Sequence, residues 1–138
     1  MIETHLLQHA AMAATHLLEP AIERLFKGST DWQVDVCVKY GDSKYQVSFG
    51  RITDRAMKEV SRHRAQVTQK NALSSVRGVP ELLKGRYSEE FPASAVDHLV
   101  YVGVASTFPK NDQLVANLFA CTTYRYLERE VQRLQSVA

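Results

Sequence analysis

Apolar and polar positions alternate with two different periods along this chain, and the switch between them marks its elements. Residues 3 to 27 carry Leu6, Ala10, Ala13, Leu17 and Ala21 at helical spacing, which predicts one amphipathic helix with that stripe inward. Pro20 falls inside it and predicts a kink or a restart, because proline removes a backbone donor and crowds the preceding turn. Gly28 is the expected stop. From residue 32 the period becomes two. Trp32, Val34, Val36 and Val38 alternate with Gln33, Asp35, Cys37 and Lys39, as in a half-buried strand. Gly41-Asp42-Ser43 supplies turn chemistry, and Tyr45, Val47 and Phe49 resume the alternation against Gln46 and Ser48, so residues 32 to 50 predict a hairpin.

A second helix follows, capped by Thr53 or Asp54, with Met57, Val60 and Val67 inward and an end near Arg77 before Gly78-Val79-Pro80. Residues 78 to 95 read as a long loop with one short helical turn around Leu82-Leu83; connections of that length are often functional. Residues 97 to 106 read as one buried strand. The last helix starts at Pro109 to Asp112, with Asn111 or Asp112 as cap. It is apolar nearly all round from Leu114 to Cys121, which predicts burial on more than one side, and charged from Glu128 to Gln135. The expectation is a single α+β domain over 1-138, a small antiparallel sheet with helices packed on it in the order α-β-β-α-(loop)-β-α.

Three stretches in that order resemble the GlcG/HbpS-type domain family, also known as haem-degrading or PduO C-terminal-like domains. Val34 to Gly50 resembles the opening hairpin. Thr53 to Val76, with Arg64, Lys70 and the small Asn71-Ala72-Leu73-Ser74-Ser75 end, resembles the basic central helix. Val102 to Val115 resembles the last strand turning into an acidic helix start. Two glycine-rich segments of the family are missing: Ala105-Ser106-Thr107-Phe108 stands where glycines usually follow the last strand. The resemblance implies a self-associating module that binds haem or a related tetrapyrrole, and no ligand residue is carried over from it. The alternative is a ligand-free assembly or partner-binding subunit with a basic docking face.

Composition narrows the classes. The 138 residues are 45% hydrophobic and 23% charged, values of an ordinary globular domain. The net charge of +2 is too mild to indicate nucleic acid, and aromatics are not interleaved with the cations as stacking on bases requires. Cys37 and Cys121 read as small apolar residues of a reducing compartment. Ala11-Met12-Ala13 mimics a leader-peptidase site, but no basic start or apolar run precedes it, and the longest apolar run, Leu99 to Ala105, is far short of a membrane span. A cytoplasmic protein without membrane contact is expected.

Two clusters are candidate binding sites. His5, His9 and His16 share one helical stripe within roughly 40° of each other, with Met12 beside them. Imidazole and thioether ligate haem iron, so these are the candidate cofactor ligands. The same stripe carries Glu19, Glu23 and Lys27, which equally suits a solvent or oligomer face. No CxxC or HExxH spacing suggests a structural or catalytic metal. Seven Lys/Arg lie between Arg51 and Arg77 against Asp54 and Glu59. If the helix starts near Arg51, then Arg51, Arg55, Lys58 and Arg62 share a face suited to haem propionates, phosphates or an acidic protein partner. His63 sits between Arg62 and Arg64, which disfavours its protonated form. No serine has a recognisable base partner, so no catalytic residue is assigned.

Overall fold

The computed structural model describes residues 2–26, 31–51 and 53–137. The elements run α1 (Ile2–Leu25), β1 (Gln33–Tyr40), β2 (Ser43–Gly50), α2 (Arg55–Asn71), β3 (Ser94–Asp97), β4 (Val100–Ser106) and α3 (Asp112–Val137), with single 3-10 turns at Glu81–Leu83 and Pro109–Asn111. The four strands form one antiparallel sheet in the order β2-β1-β4-β3. Helices α1 and α3 pack together on one face, over Val34, Val36 and Val38 of β1 and Val100, Val102 and Val104 of β4. Helix α2 covers the other face through Met57, Val60 and Ala65. The fold is α+β, as the pattern predicts.

Five local expectations need correction. The buried stripe of α1 is Leu7, Ala10, Ala11, Ala14, Leu18 and Ile22, while Leu17 is 59% exposed. Doublets such as Leu6-Leu7, Ala10-Ala11, Ala13-Ala14 and Leu17-Leu18 offer two apolar stripes roughly a quarter-turn apart, and the one holding Ile22 is inward. The helix runs unbroken through Pro20, which is exposed, as is His16, whose carbonyl loses its usual partner there. The expected stop, Gly28, lies outside the described residues.

The strand expected over residues 97 to 106 is a hairpin, with His98 and Leu99 as its two-residue turn. Helix α2 stops at Asn71, six residues short of the expected end, because Ala72 takes a left-handed conformation (φ 53°) and its N–H closes on the Thr68 carbonyl. Ser75 and Val76 then run beside β3, exchanging hydrogen bonds with Ser94 and Ala93. In α3, Val115, Ala116, Phe119 and Ala120 are buried but Leu114 and Cys121 are exposed, so one face is inward rather than several. Cys37, by contrast, is buried, and that burial pushes its thiol pKa up to about 11.

The polar side of β1 is not a solvent face. Gln33 and Asp35 are buried under the start of α2. The Gln33 amide donates to Asp35 Oδ2 and to the Asp54 carbonyl, and its Oε1 accepts from the Asp54 N–H. Asp54 Oδ1 in turn accepts from the Ala56 N–H as the helix cap, and Tyr87 donates to Asp54 Oδ2. One buried glutamine thereby ties the strand to the helix start.

Arg64 is the only cation in the inward stripe of α2, and it is 3% exposed. Its Nε donates to the Gly78 carbonyl at 3.1 Å and Nη1 to the Val104 carbonyl at 2.8 Å. Nη2 donates to Arg77 at 3.2 Å and Ser88 at 2.9 Å. Asp112, the first residue of α3, lies 3.6 Å from Nη1 and accepts a hydrogen bond from Ser106. The guanidinium thus joins α2, β4, the 77–88 connection and the start of α3. Burial is the largest influence on both members of the pair: it lowers the Arg64 pKa and raises that of Asp112 to about 7.

Helix α2 approaches the sheet closely at Gly103. A Cβ there would lie 2.3 Å from the Ala65 nitrogen and the Ser61 carbonyl oxygen, both backbone atoms. Gly103→Ala is expected to lose about 1–3 kcal/mol in urea unfolding, since the helix itself has to move. The Asp112 carboxyl has a folded pKa above its unfolded value, so the folded chain holds a proton there that the unfolded chain releases above the ordinary value of 3.8. Stability from this group is present below pH 3.8 and is lost as pH rises to about 7. Asp35 is raised in the same direction by burial. Asp112→Asn is expected to flatten the fall in stability between those two values, measured by urea unfolding across the pH series.

Candidate functional site

The β3–β4 turn and the second half of α3 enclose a cleft of about 410 Å³. Tyr124, Leu127, Glu128 and Val131 recur at helical spacing and form one wall. The turn residues His98 and Leu99, with Val100, form the opposite wall, and Tyr40 at the end of β1 closes one side. The surroundings are mainly apolar, with Leu99 63% exposed at the mouth. Size and character are those of a small-molecule site: apolar walls with a few placed polar groups.

His98 is the chemically distinctive residue. Its φ is 54°, a left-handed conformation at the first central position of a two-residue hairpin turn, where glycine is normally preferred. A non-glycine residue there costs about 1–2 kcal/mol unless its side chain makes compensating contacts. The imidazole stacks on the Tyr124 ring with centroids 3.9 Å apart and planes 5° from parallel. Its Nδ1 is 2.6 Å from Asp97 Oδ1. With Nδ1 engaged by a carboxylate, Nε2 is the nitrogen left to accept a proton or bind a ligand. This carboxylate–imidazole pairing is the arrangement that orients and strengthens metal-ligating histidines. Tyr124 donates to Glu128 Oε2 at 3.0 Å, and that hydrogen bond raises the phenol pKa. Asp97 and Glu128 make this end acidic.

The residues singled out from sequence lie elsewhere. His5, His9 and His16 are all exposed on α1. His5 and His9 line a shallow groove of about 170 Å³ with Leu6, Glu130, Arg133 and Leu134. His16 is not in it: seven residues of helix put it roughly 10 Å along the axis from His9, too far to share one metal ion. Among the described residues, no group of three or more His, Cys, Asp or Glu side chains is placed to hold a metal ion.

Helix α2 begins at Arg55, so Arg51 precedes it, its N–H bonded to the Trp32 carbonyl. Arg55 and Lys58 are exposed, and Arg62 pairs with Glu59. These cations are on the α2 side of the sheet, away from the cleft. His63 is half-buried, and its pKa is lowered first by burial and then by Arg64.

Sequence reasoning missed Tyr124 and Asp97 as partners of His98. The signal was present as a polar Asp-His pair opening an apolar run, a poor fit to a strand interior. No helix is long and apolar enough to cross a membrane among the described residues. The chain matches no family model, no curated protein and no solved structure.

Proposed function

We propose that this domain is a binding module for a small, planar, mainly apolar ligand held in the cleft between the β3–β4 turn and α3. The observation that carries the reading is His98, kept in a glycine-type backbone conformation while its ring stacks on Tyr124 and bonds Asp97. Strained conformations persist where neighbouring contacts over-determine them, and they concentrate at ligand sites. Haem or a related tetrapyrrole remains the leading ligand suggested by the family resemblance; His98 is exposed, as the α1 histidines are, but its ring is fixed by Asp97 and Tyr124, so its Nε2 would be the nitrogen to hold such a ligand's iron. The acidic residues Asp97 and Glu128 require the propionates of such a ligand to point away from them. The same acidity favours a ligand whose polar end is neutral or cationic.

A hemin titration followed by absorbance tests this assignment on wild type, His98→Ala and the combined His5, His9 and His16→Ala variant. The expected result is a saturable, shifted Soret band in wild type and in the triple variant, with the shift lost in His98→Ala. A band lost only in the triple variant returns the ligand to α1. No saturable band in any of them removes haem from the reading.

A further inference from the structure

The sheet has two edges, and they differ. Strand β3 is four residues long, and Ser75 and Val76 lie along it with hydrogen bonds to Ser94 and Ala93. Strand β2 is eight residues long, without proline or bulge, and pairs with β1 in continuous register from Tyr40↔Ser43 to Gln33↔Gly50. The two-residue turn Gly41-Asp42 makes Tyr40 and Ser43 a hydrogen-bonded pair. Tyr45, Val47 and Phe49 then bond inward, consistent with the Arg51 N–H reaching the Trp32 carbonyl. Lys44, Gln46 and Ser48 therefore aim their N–H and C=O groups away from the sheet. No backbone hydrogen bond to these groups from outside the sheet occurs among the described residues. A long, regular edge of this kind is a template for one more strand.

Charge decides what that strand is. Lys44, Gln46 and Ser48 point to the α2 side of the sheet, where α2 leaves β2 largely uncovered. The Gln46 amide donates to the Lys58 carbonyl, which places Lys58 beside the edge. Lys39, Lys44 and Arg62 all act on the Cys37 thiol, the β1 partner of Gln46, so these cations surround the same part of the sheet. Glu59 and Arg62 pair with each other, so Lys39, Lys44 and Lys58 carry the positive charge of this face. A second copy presenting its own β2 would bring two such basic faces together, and like charges across a strand pair are destabilising.

We propose that β2 is a docking edge for an acidic, extended peptide segment of a partner protein, added as a fifth strand with its carboxylates facing Lys44 and Lys58. The backbone groups of Lys44, Gln46 and Ser48 supply the ladder, and the cations supply the preference for acidic residues.

The test is fluorescence anisotropy with a labelled peptide of alternating glutamate and valine, about ten residues long to exceed one strand. Two control peptides accompany it, one with lysine replacing glutamate and one with alternate backbone nitrogens methylated. Saturable binding of the acidic peptide alone is expected, weakened about tenfold or more by Lys44→Glu combined with Lys58→Glu. Gln46→Pro removes an N–H that β1 does not use and is expected to abolish binding; the methylated peptide is expected to fail on the unmodified protein, independently of how that variant folds. No saturable binding of the acidic peptide overturns the proposal. So does equal binding of the methylated peptide, which would make the contact purely electrostatic, or of the lysine peptide. A dimer in sedimentation that Gln46→Pro dissociates would assign the edge to a second copy instead.

Discussion

A single buried guanidinium holds the parts of this domain in register. Arg64 donates to four backbone carbonyls, on Gly78, Arg77, Ser88 and Val104, and faces Asp112. Only arginine has enough donors in a fixed fork to satisfy so many acceptors at once. Burying a cation costs several kcal/mol unless its donors are met, and here they are met mainly by main-chain oxygens rather than by its carboxylate partner. The connection between α2 and β3 has one short 3-10 turn and few buried apolar side chains, Val79 and Ala93 among them. Its anchorage is therefore largely polar. Gly103 completes the arrangement by letting α2 come close enough for Arg64 to reach across.

That anchorage lies on the α2 side of the sheet, and it leaves the other side to the α1–α3 layer. Strand β3 is held by β4 on one side and on its outer edge by Ser75 and Val76, themselves part of the segment that Arg64 clamps at Arg77 and Gly78. The scaffold thus connects mechanically to His98 without contributing a group to its cleft. The same asymmetry separates the chemistry of the two open features. The cleft is apolar with an acidic end at Asp97 and Glu128, whereas the β2 edge is basic through Lys44 and Lys58. Their chemistries suit different occupants.

How much of this could be read from the sequence depends on whether a signal was local. The first hairpin was legible because alternation and a Gly-Asp turn agree over residues 32 to 50. The phase of α1 was not, because its leucine and alanine doublets give two stripes equal weight until α3 is present to choose. Arg64 had a readable signature: Met57, Val60, Ser61, Arg64, Ala65 and Thr68 form one helical stripe with a cation at its centre. The basic character of that whole segment masked it. The second hairpin was hidden because its turn uses His98 and Leu99, with none of the residues that favour a positive φ there. The candidate site inherits that difficulty, since its defining contacts join residues 97 and 98 to residue 124, and only the folded chain brings them together.

The proposed ligand site is the His98–Tyr124 cleft rather than the α1 histidine stripe. An NMR titration of the isotopically labelled protein with a set of small planar aromatic compounds measures this directly, without assuming haem. The expected shifts saturate and cluster on Tyr40, His98, Leu99, Tyr124 and Leu127, with His5, His9 and His16 unmoved. Shifts confined to the α1 histidines and the Glu130–Leu134 end of α3, or an absence of saturable shifts around His98, would contradict this assignment.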